Sequence, residues 1–216
     1  MSNQNEDHTC LFCAKFSGSE QSIALRQWYD DPIIEDKDFV AVPSLGQLVP
    51  GYILIIPRRH VSSMAQLSME ELAKLRKFCG QVTVFQKKCW GMPLIFEHGM
   101  CSEEHRAGAC IDHAHWHLVP TSEELVPHDI RLTRIDSFEA FAASTGQANS
   151  YLYVGNCTGR GYILDDRNIP GQFFRRRLAL AVQRPDEWDY SVFPLYENIR
   201  TTYECAKTIL QNGPHW

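Results

Sequence analysis

His113, His115 and His117 occupy alternate positions in the run His113-Ala114-His115-Trp116-His117-Leu118-Val119. Alternate side chains of an extended strand share one face, so the three imidazoles fall in a row about 6.6 Å apart. Ala114, Trp116 and Leu118 point the other way and can bury. A single histidine is most often a satisfied core or surface side chain. Three on one face must each lose water and find a partner, which packing alone does not supply. Two chemistries fit the row. One is ligation of a metal by ring nitrogens. The other is nucleophilic attack by an imidazole, whose ordinary pKa of about 6.5 leaves it largely neutral at pH 7.

Two further clusters have reactive side chains. Cys10-Leu11-Phe12-Cys13 is a Cys-X-X-Cys pair, suited to thiol redox chemistry or to half of a tetrahedral metal site that needs two more ligands. Residues 170–177, PGQFFRRR, join two aromatics to three arginines, whose planar fork suits phosphate. Consecutive helical side chains point in different directions, so at most one or two of the three can face a single site. The alternative there is a solvated helix face beside a buried Phe173 or Phe174. The sequence assigns no role to Gln172, Arg175 or Arg176.

The elements that must position these groups are legible in part. DFVAV at 38–42 is short and β-rich, PSLGQLVPG at 43–51 reads as a turn or loop, and YILII at 52–56 reads as a buried strand stopping at Pro57. Ser68 and Glu71 form a capping box that opens a helix over 69–89. Leu72, Leu75, Cys79, Val82 and Phe85 recur along it at helical spacing. LIFE at 94–97 reads as a strand entering a turn at His98–Gly99, and 113–119 as a half-buried strand. Residues 100–112 read as a loop, YLYV at 151–154 as a strand, and about 172–183 and 196–210 as helices. Glu97 and His98 form a candidate proton-transfer pair or leaving-group contact, or else a plain surface turn. His105 in the loop reads as an ordinary surface residue.

The chain of 216 residues is 44% hydrophobic and 22% charged, which suits one globular unit or a core with an extension. The net charge of −5 argues against a surface that coats nucleic acid, so no nucleic-acid partner is expected. No apolar run approaches the roughly 20 residues needed to cross a membrane, and the polar start lacks a secretory signal. Cys79, Cys89, Cys101, Cys157 and Cys205 show no disulfide-scaffold spacing. These features predict a cytoplasmic protein with no membrane partner.

The run His113–Val119 resembles the signature of the histidine triad (HIT) family, His-φ-His-φ-His-φ-φ with φ apolar. Residues 51–60, GYILIIPRRH, resemble the family's Gly-X-apolar-run-Pro-basic-X-His segment. Gly108, seven residues before His115, stands where the family has a loop glycine near the phosphate. The matching stretches cover residues 10–120. The resemblance implies an α+β fold. An antiparallel sheet of about five strands has the triad on a central strand and the 69–89 helix packed across it. The implied organisation is a disordered 1–8, a histidine triad domain at 9–125 and a C-terminal extension at 126–216 packed on or beside the core. It also implies a homodimer formed by joining sheets.

The mechanism the resemblance implies places His115 as the nucleophile on the α-phosphorus of a nucleotide-type small molecule, with His117 hydrogen-bonded to the phosphate oxygens. Members with an N-terminal Cys-X-X-Cys bind zinc, which implies one structural zinc per chain on Cys10, Cys13, His60 and His113. Several positions depart from the family pattern. Ala41 stands where some members have an acidic ribose ligand, Cys110 where a serine often lies near the leaving group, and Glu97 where many have Asn. Candidate substrate contacts are thus Gly108, Cys110, Glu97 and His98. The expected activity is hydrolysis or nucleotidyl transfer on a dinucleoside polyphosphate or nucleoside phosphoramidate. Two alternatives stand beside it: a nucleotide-binding module with little turnover, and a metal hydrolase with all three histidines as ligands.

Overall fold

A computed structural model describes residues 10–99, 113–123, 125–126, 130–145, 150–164 and 170–211. Residues 1–8, and the 100–112 loop with Gly108 and Cys110, lie outside them. In chain order the described elements are α1 (Leu11–Phe16), α2 (Glu20–Ala24), β1 (Ile34–Glu35), β2 (Phe39–Pro43) and β3 (Ile53–Pro57), then α3 (Met69–Cys89), β4 (Pro93–Gly99) and β5 (Trp116–Pro120). The rest are β6 (Leu132–Ile135), α4 (Phe138–Thr145), β7 (Tyr151–Gly155), β8 (Gly161–Leu164), α5 (Phe173–Ala181) and α6 (Tyr196–Gln211).

All strands join one antiparallel sheet in the order β1-β2-β3-β5-β4-β7-β8-β6. The fold is α+β, as expected, but the sheet has eight strands rather than five. Five strands, β1 to β5, lie within residues 9–125. The extension adds the other three by pairing β7 along the outer edge of β4, from Ile95↔Gly155 to Gly99↔Tyr151. It is therefore not only packed beside the core: it continues the core's own sheet, which satisfies an edge of β4 that would otherwise present bare N–H and C=O groups.

Strand alternation splits the interior into two layers. Phe39, Ala41, Ile53, Ile55, Ile95, Trp116 and Leu118 face α3, whose Leu72, Leu75, Cys79, Val82 and Phe85 are buried against them. Val40, Val42, Leu54, Ile56, Phe96 and Val119 face the opposite way, toward α1 and α5. Buried on both faces, β2 and β3 read as unbroken apolar runs rather than alternating ones. α3 begins at the expected capping box: Ser68 Oγ accepts from Glu71 N at 3.2 Å, and Glu71 Oε2 accepts from Ser68 N at 2.8 Å. Gly51, at φ +80°, passes so close to the Trp90 ring that a Cβ would collide with it.

Two expectations need correction. The sequence pattern predicts the histidine strand over 113–119, but β5 pairs only from Trp116 onward. The register of Ile55↔Trp116 sets Pro57 opposite Ala114, and proline has no N–H to continue the ladder. The carbonyl of Pro57 instead accepts from the His113 ring. Second, Cys89 at the end of α3 is disulfide-bonded to Cys205 on α6, although no spacing in the sequence suggests a pair. No helix among the described residues is long and apolar enough to cross a membrane.

Candidate active site and metal centre

Cys10 and Cys13 flank the start of α1, His60 follows β3, and His113 precedes β5. Their ligand atoms all lie within 4.8 Å of one another. His113 Nδ1 is 3.4 Å from Cys10 Sγ and 3.5 Å from Cys13 Sγ, and His60 Nδ1 is 3.3 Å from Cys13 Sγ. Sulfur and nitrogen bound tetrahedrally to one zinc, at about 2.3 and 2.0–2.1 Å, would stand about 3.6 Å apart. The donor set and spacing therefore fit such an ion. The outer side of His113 fits as well: Nε2–H donates to the Pro57 carbonyl at 2.7 Å, which leaves the Nδ1 lone pair facing the thiols. Burial, with the adjoining Cys10 thiol, pushes the Cys13 thiol up to about 11. A bound divalent cation would reverse that preference and hold both sulfurs as thiolates.

His115 and His117 lie on the α1/α5 side of the sheet, their ring centroids 4.7 Å apart. His115 Nδ1 is 2.8 Å from the His113 carbonyl. A carbonyl only accepts, so Nδ1 bears the proton and a neutral His115 has its lone pair on Nε2. Burial lowers the His115 pKa to about 4, against a smaller opposing effect of that hydrogen bond, so the ring is neutral at pH 7. His117 is held well below its ordinary value, again chiefly by burial. Its Nδ1 is 2.7 Å from Tyr52 Oη, and its ring stacks on Phe96 with centroids 4.6 Å apart. Burial pushes the Tyr52 phenol up to about 12, so Tyr52 keeps its proton and can donate to His117.

A family comparison matches residues 26–124 to the HIT domain. Residues 26–124 are thus similar to a HIT domain. His60 and the three triad histidines lie inside the matched segment, and Cys10 and Cys13 precede it. A curated relative, adenosine 5'-monophosphoramidase HINT3 of Danio rerio, is 27% identical over 74 residues, which is 34% of this chain. The match spans 42% of that protein's length. Among solved structures, a HIT family protein from Bacillus anthracis is 22% identical over 54% of this chain and 76% of its own, with a TM-score of 0.42. A zinc-bound histidine triad family protein from Mycobacterium smegmatis is 18% identical over 81% of this chain and 96% of its own, with a TM-score of 0.40.

A cavity of about 270 Å³ is lined by His115, His117 and His98. Phe12 and Phe16 of α1 form one wall, and Phe173, Phe174 and Arg175 of α5 form another. The Phe12 ring meets His115 edge-on at 5.4 Å, so the helix that starts between the two cysteines also packs against the middle histidine. Sequence reasoning did not place Phe12, Tyr52 or Arg175 here. Strand parity would have put Tyr52 on the face of the later Leu54 and Ile56. Nothing in the sequence signals that α5 folds back over β4.

Glu97 requires correction as a substrate contact. It alternates with Phe96 and His98 on β4, so its side chain enters the opposite layer and is 1% exposed. Its carboxylate accepts from Tyr151 Oη at 2.6 Å, Met64 N at 2.8 Å and Trp116 Nε1 at 3.1 Å. It is a buried polar anchor beneath the triad strand. The same alternation separates it from His98, which excludes the proton-transfer pair.

Proposed function

We propose that the chain is a histidine triad enzyme that hydrolyses, or transfers the nucleotidyl group of, a nucleoside phosphate derivative. Candidate substrates are nucleoside phosphoramidates and dinucleoside polyphosphates. The observation that supports this best is the hydrogen bond from His115 Nδ1–H to the His113 carbonyl, because it leaves the Nε2 lone pair free in a cavity shared with His117. In the proposed first step His115 Nε2 bonds to phosphorus and the leaving group departs with its electron pair. Water, or a second acceptor, then attacks the same phosphorus and restores the imidazole. His117, its Nδ1 occupied by Tyr52, would point Nε2–H at the phosphate oxygens. His98 lines the cavity, and Gly108 and Cys110, which lie outside the described residues, would by the family resemblance stand near the phosphate and the leaving group.

Cys10, Cys13, His60 and His113 would hold one zinc. Its contribution would be structural: all four ligand positions are filled by side chains, so no open site remains for substrate. It would tie α1, which supplies Phe12 and Phe16, to the entry of the triad strand. Residues 9–125 would form the triad domain and residues 126–216 the extension. A homodimer that joins sheets would use β1 or β6, because β4 is already paired. The metal-hydrolase alternative is disfavoured because His113 Nδ1 faces the two thiols rather than His115.

The test is turnover of adenosine 5'-phosphoramidate and diadenosine polyphosphates by wild type, His115→Ala and His117→Ala. Acid quench with phosphate-labelled substrate should leave acid-labile, base-stable label on the wild-type chain. His115→Ala should lose nearly all turnover, and His117→Ala about 10²–10³-fold. Near wild-type turnover by His115→Ala would end the mechanism. Binding of these compounds without turnover by wild type would favour the nucleotide-binding module.

A further inference from the structure

We infer that Arg175, on the C-terminal extension, is a substrate-recognition residue of the triad site. Its guanidinium would take negative charge on a phosphate bound beside His115 and His117. The inference rests on the nucleotide reading above and adds to it a contact from outside residues 26–124.

Arg175 is 3% exposed and lines the same cavity as His115 and His117. Its Nε donates to the Trp188 carbonyl at 3.0 Å and its Nη2 to the Gly46 carbonyl at 2.7 Å. Nη1 lies 3.5 Å from Oγ of Ser44, which also lines the cavity, and the guanidinium also interacts with the Tyr52 hydroxyl. All these acceptors are neutral, and among the described residues Arg175 forms no salt bridge, although, after the hydrogen bonds from Ser191, its charge helps hold the more distant Asp189 carboxyl below its ordinary value. The bonds to Trp188, Gly46 and Ser44 use three of its five N–H groups. The rings of Tyr52 and Tyr190 lie 5.4 and 5.6 Å from the guanidinium carbon, which fixes the group without neutralising it.

A buried cation with no carboxylate in direct contact is costly, and a purely structural role would be better served by a paired or neutral side chain. The other cation lining the cavity, Lys15, lacks this property, because Asp30 sits 2.7 Å from its Nζ. The neighbouring arginines also differ. Arg176 is exposed and stacks on Trp188, with its guanidinium carbon 3.4 Å from the ring centre, and neither Arg176 nor Arg177 lines the cavity. A cavity with a fixed guanidinium that no carboxylate contacts directly among the described residues, and with mostly apolar walls, selects an anionic ligand with an apolar body. A nucleoside phosphate has that form.

The test is calorimetric titration of adenosine and of AMP into wild type, Arg175→Gln and Arg175→Lys. Wild type should bind AMP more tightly than adenosine. Arg175→Gln should weaken AMP roughly 10–100-fold and leave adenosine within about two-fold, since one charged, forked hydrogen-bond donor is lost. Arg175→Lys should fall between, with its charge kept and its fork lost. Unchanged AMP affinity in Arg175→Gln overturns the inference, and so does an equal loss for both ligands, which would mark a merely structural residue. If the glutamine variant does not fold, Arg175→Lys and the wild-type ratio decide, and a ratio near one overturns it. If wild type binds neither ligand, the nucleotide reading itself fails, and this inference falls with it.

Discussion

Replacing Glu97 with glutamine isolates one buried carboxyl group. Burial raises its pKa from 4.5 to about 7, despite three donors that favour the charged form. The folded state therefore retains a proton that the unfolded chain releases between those values. The stability this contributes is full below pH 4.5 and is lost as pH rises through about 7. A gap of roughly 2.5 pK units corresponds to about 3 kcal/mol, most of it between about pH 5 and 8. The amide of the Glu97→Gln variant cannot titrate. It also faces one of the three donors with its own N–H₂, a cost of about 1–3 kcal/mol at every pH. Urea unfolding of both proteins from about pH 5 to 8 should show wild type ahead by about the amide's cost alone at the acid end, where both side chains are neutral. The lead should shrink by about 3 kcal/mol toward the alkaline end. Other groups cancel in the difference, so a lead that stays flat or grows with pH would refute the assignment of Glu97 as a buried, proton-holding anchor.

Metal analysis of untagged protein should give one zinc per chain, and a strong chelator should lower the melting temperature; Cys13→Ser should bind well under one. Tyr52→Phe removes the hydroxyl that meets His117 Nδ1 and should lower kcat roughly 10-fold with little change in adenosine binding. Cys205→Ser should be less stable than oxidised wild type by roughly 2–4 kcal/mol and equal to wild type in reductant, because the lost bridge spans 116 residues. Equal stability in oxidising buffer would mean that the bond does not form in solution.

The sequence was most legible where period and punctuation agree. Ser68, Glu71 and the apolar repeat from Leu72 to Phe85 marked α3 with its ends, and YILII before Pro57 marked β3 to within a residue. Cys10, Cys13, His60 and His113 were brought together by the family resemblance, and their geometry supports the grouping. Glu97 was misplaced although alternation along β4 was available, because a polar residue beside His98 suggested a turn rather than a strand continuing to Gly99. β6 and β8 were not anticipated: LTRI and GYIL are four residues long and partly exposed, too short to show a period. The return of α5 over β4 is a tertiary event that depends on Phe174 meeting Phe96, a contact no local pattern encodes.

The pairing of β7 with β4 has a consequence for anyone who trims the chain. In the full protein the covering strand is tethered to the strand it covers, so dilution cannot remove it. A fragment ending near residue 125 keeps the triad and the four cysteine and histidine ligands, but bares the five consecutive backbone positions of β4 from Ile95 to Gly99. Copies of such a fragment would meet along that seam, and the state of assembly observed would belong to the cut rather than to the protein.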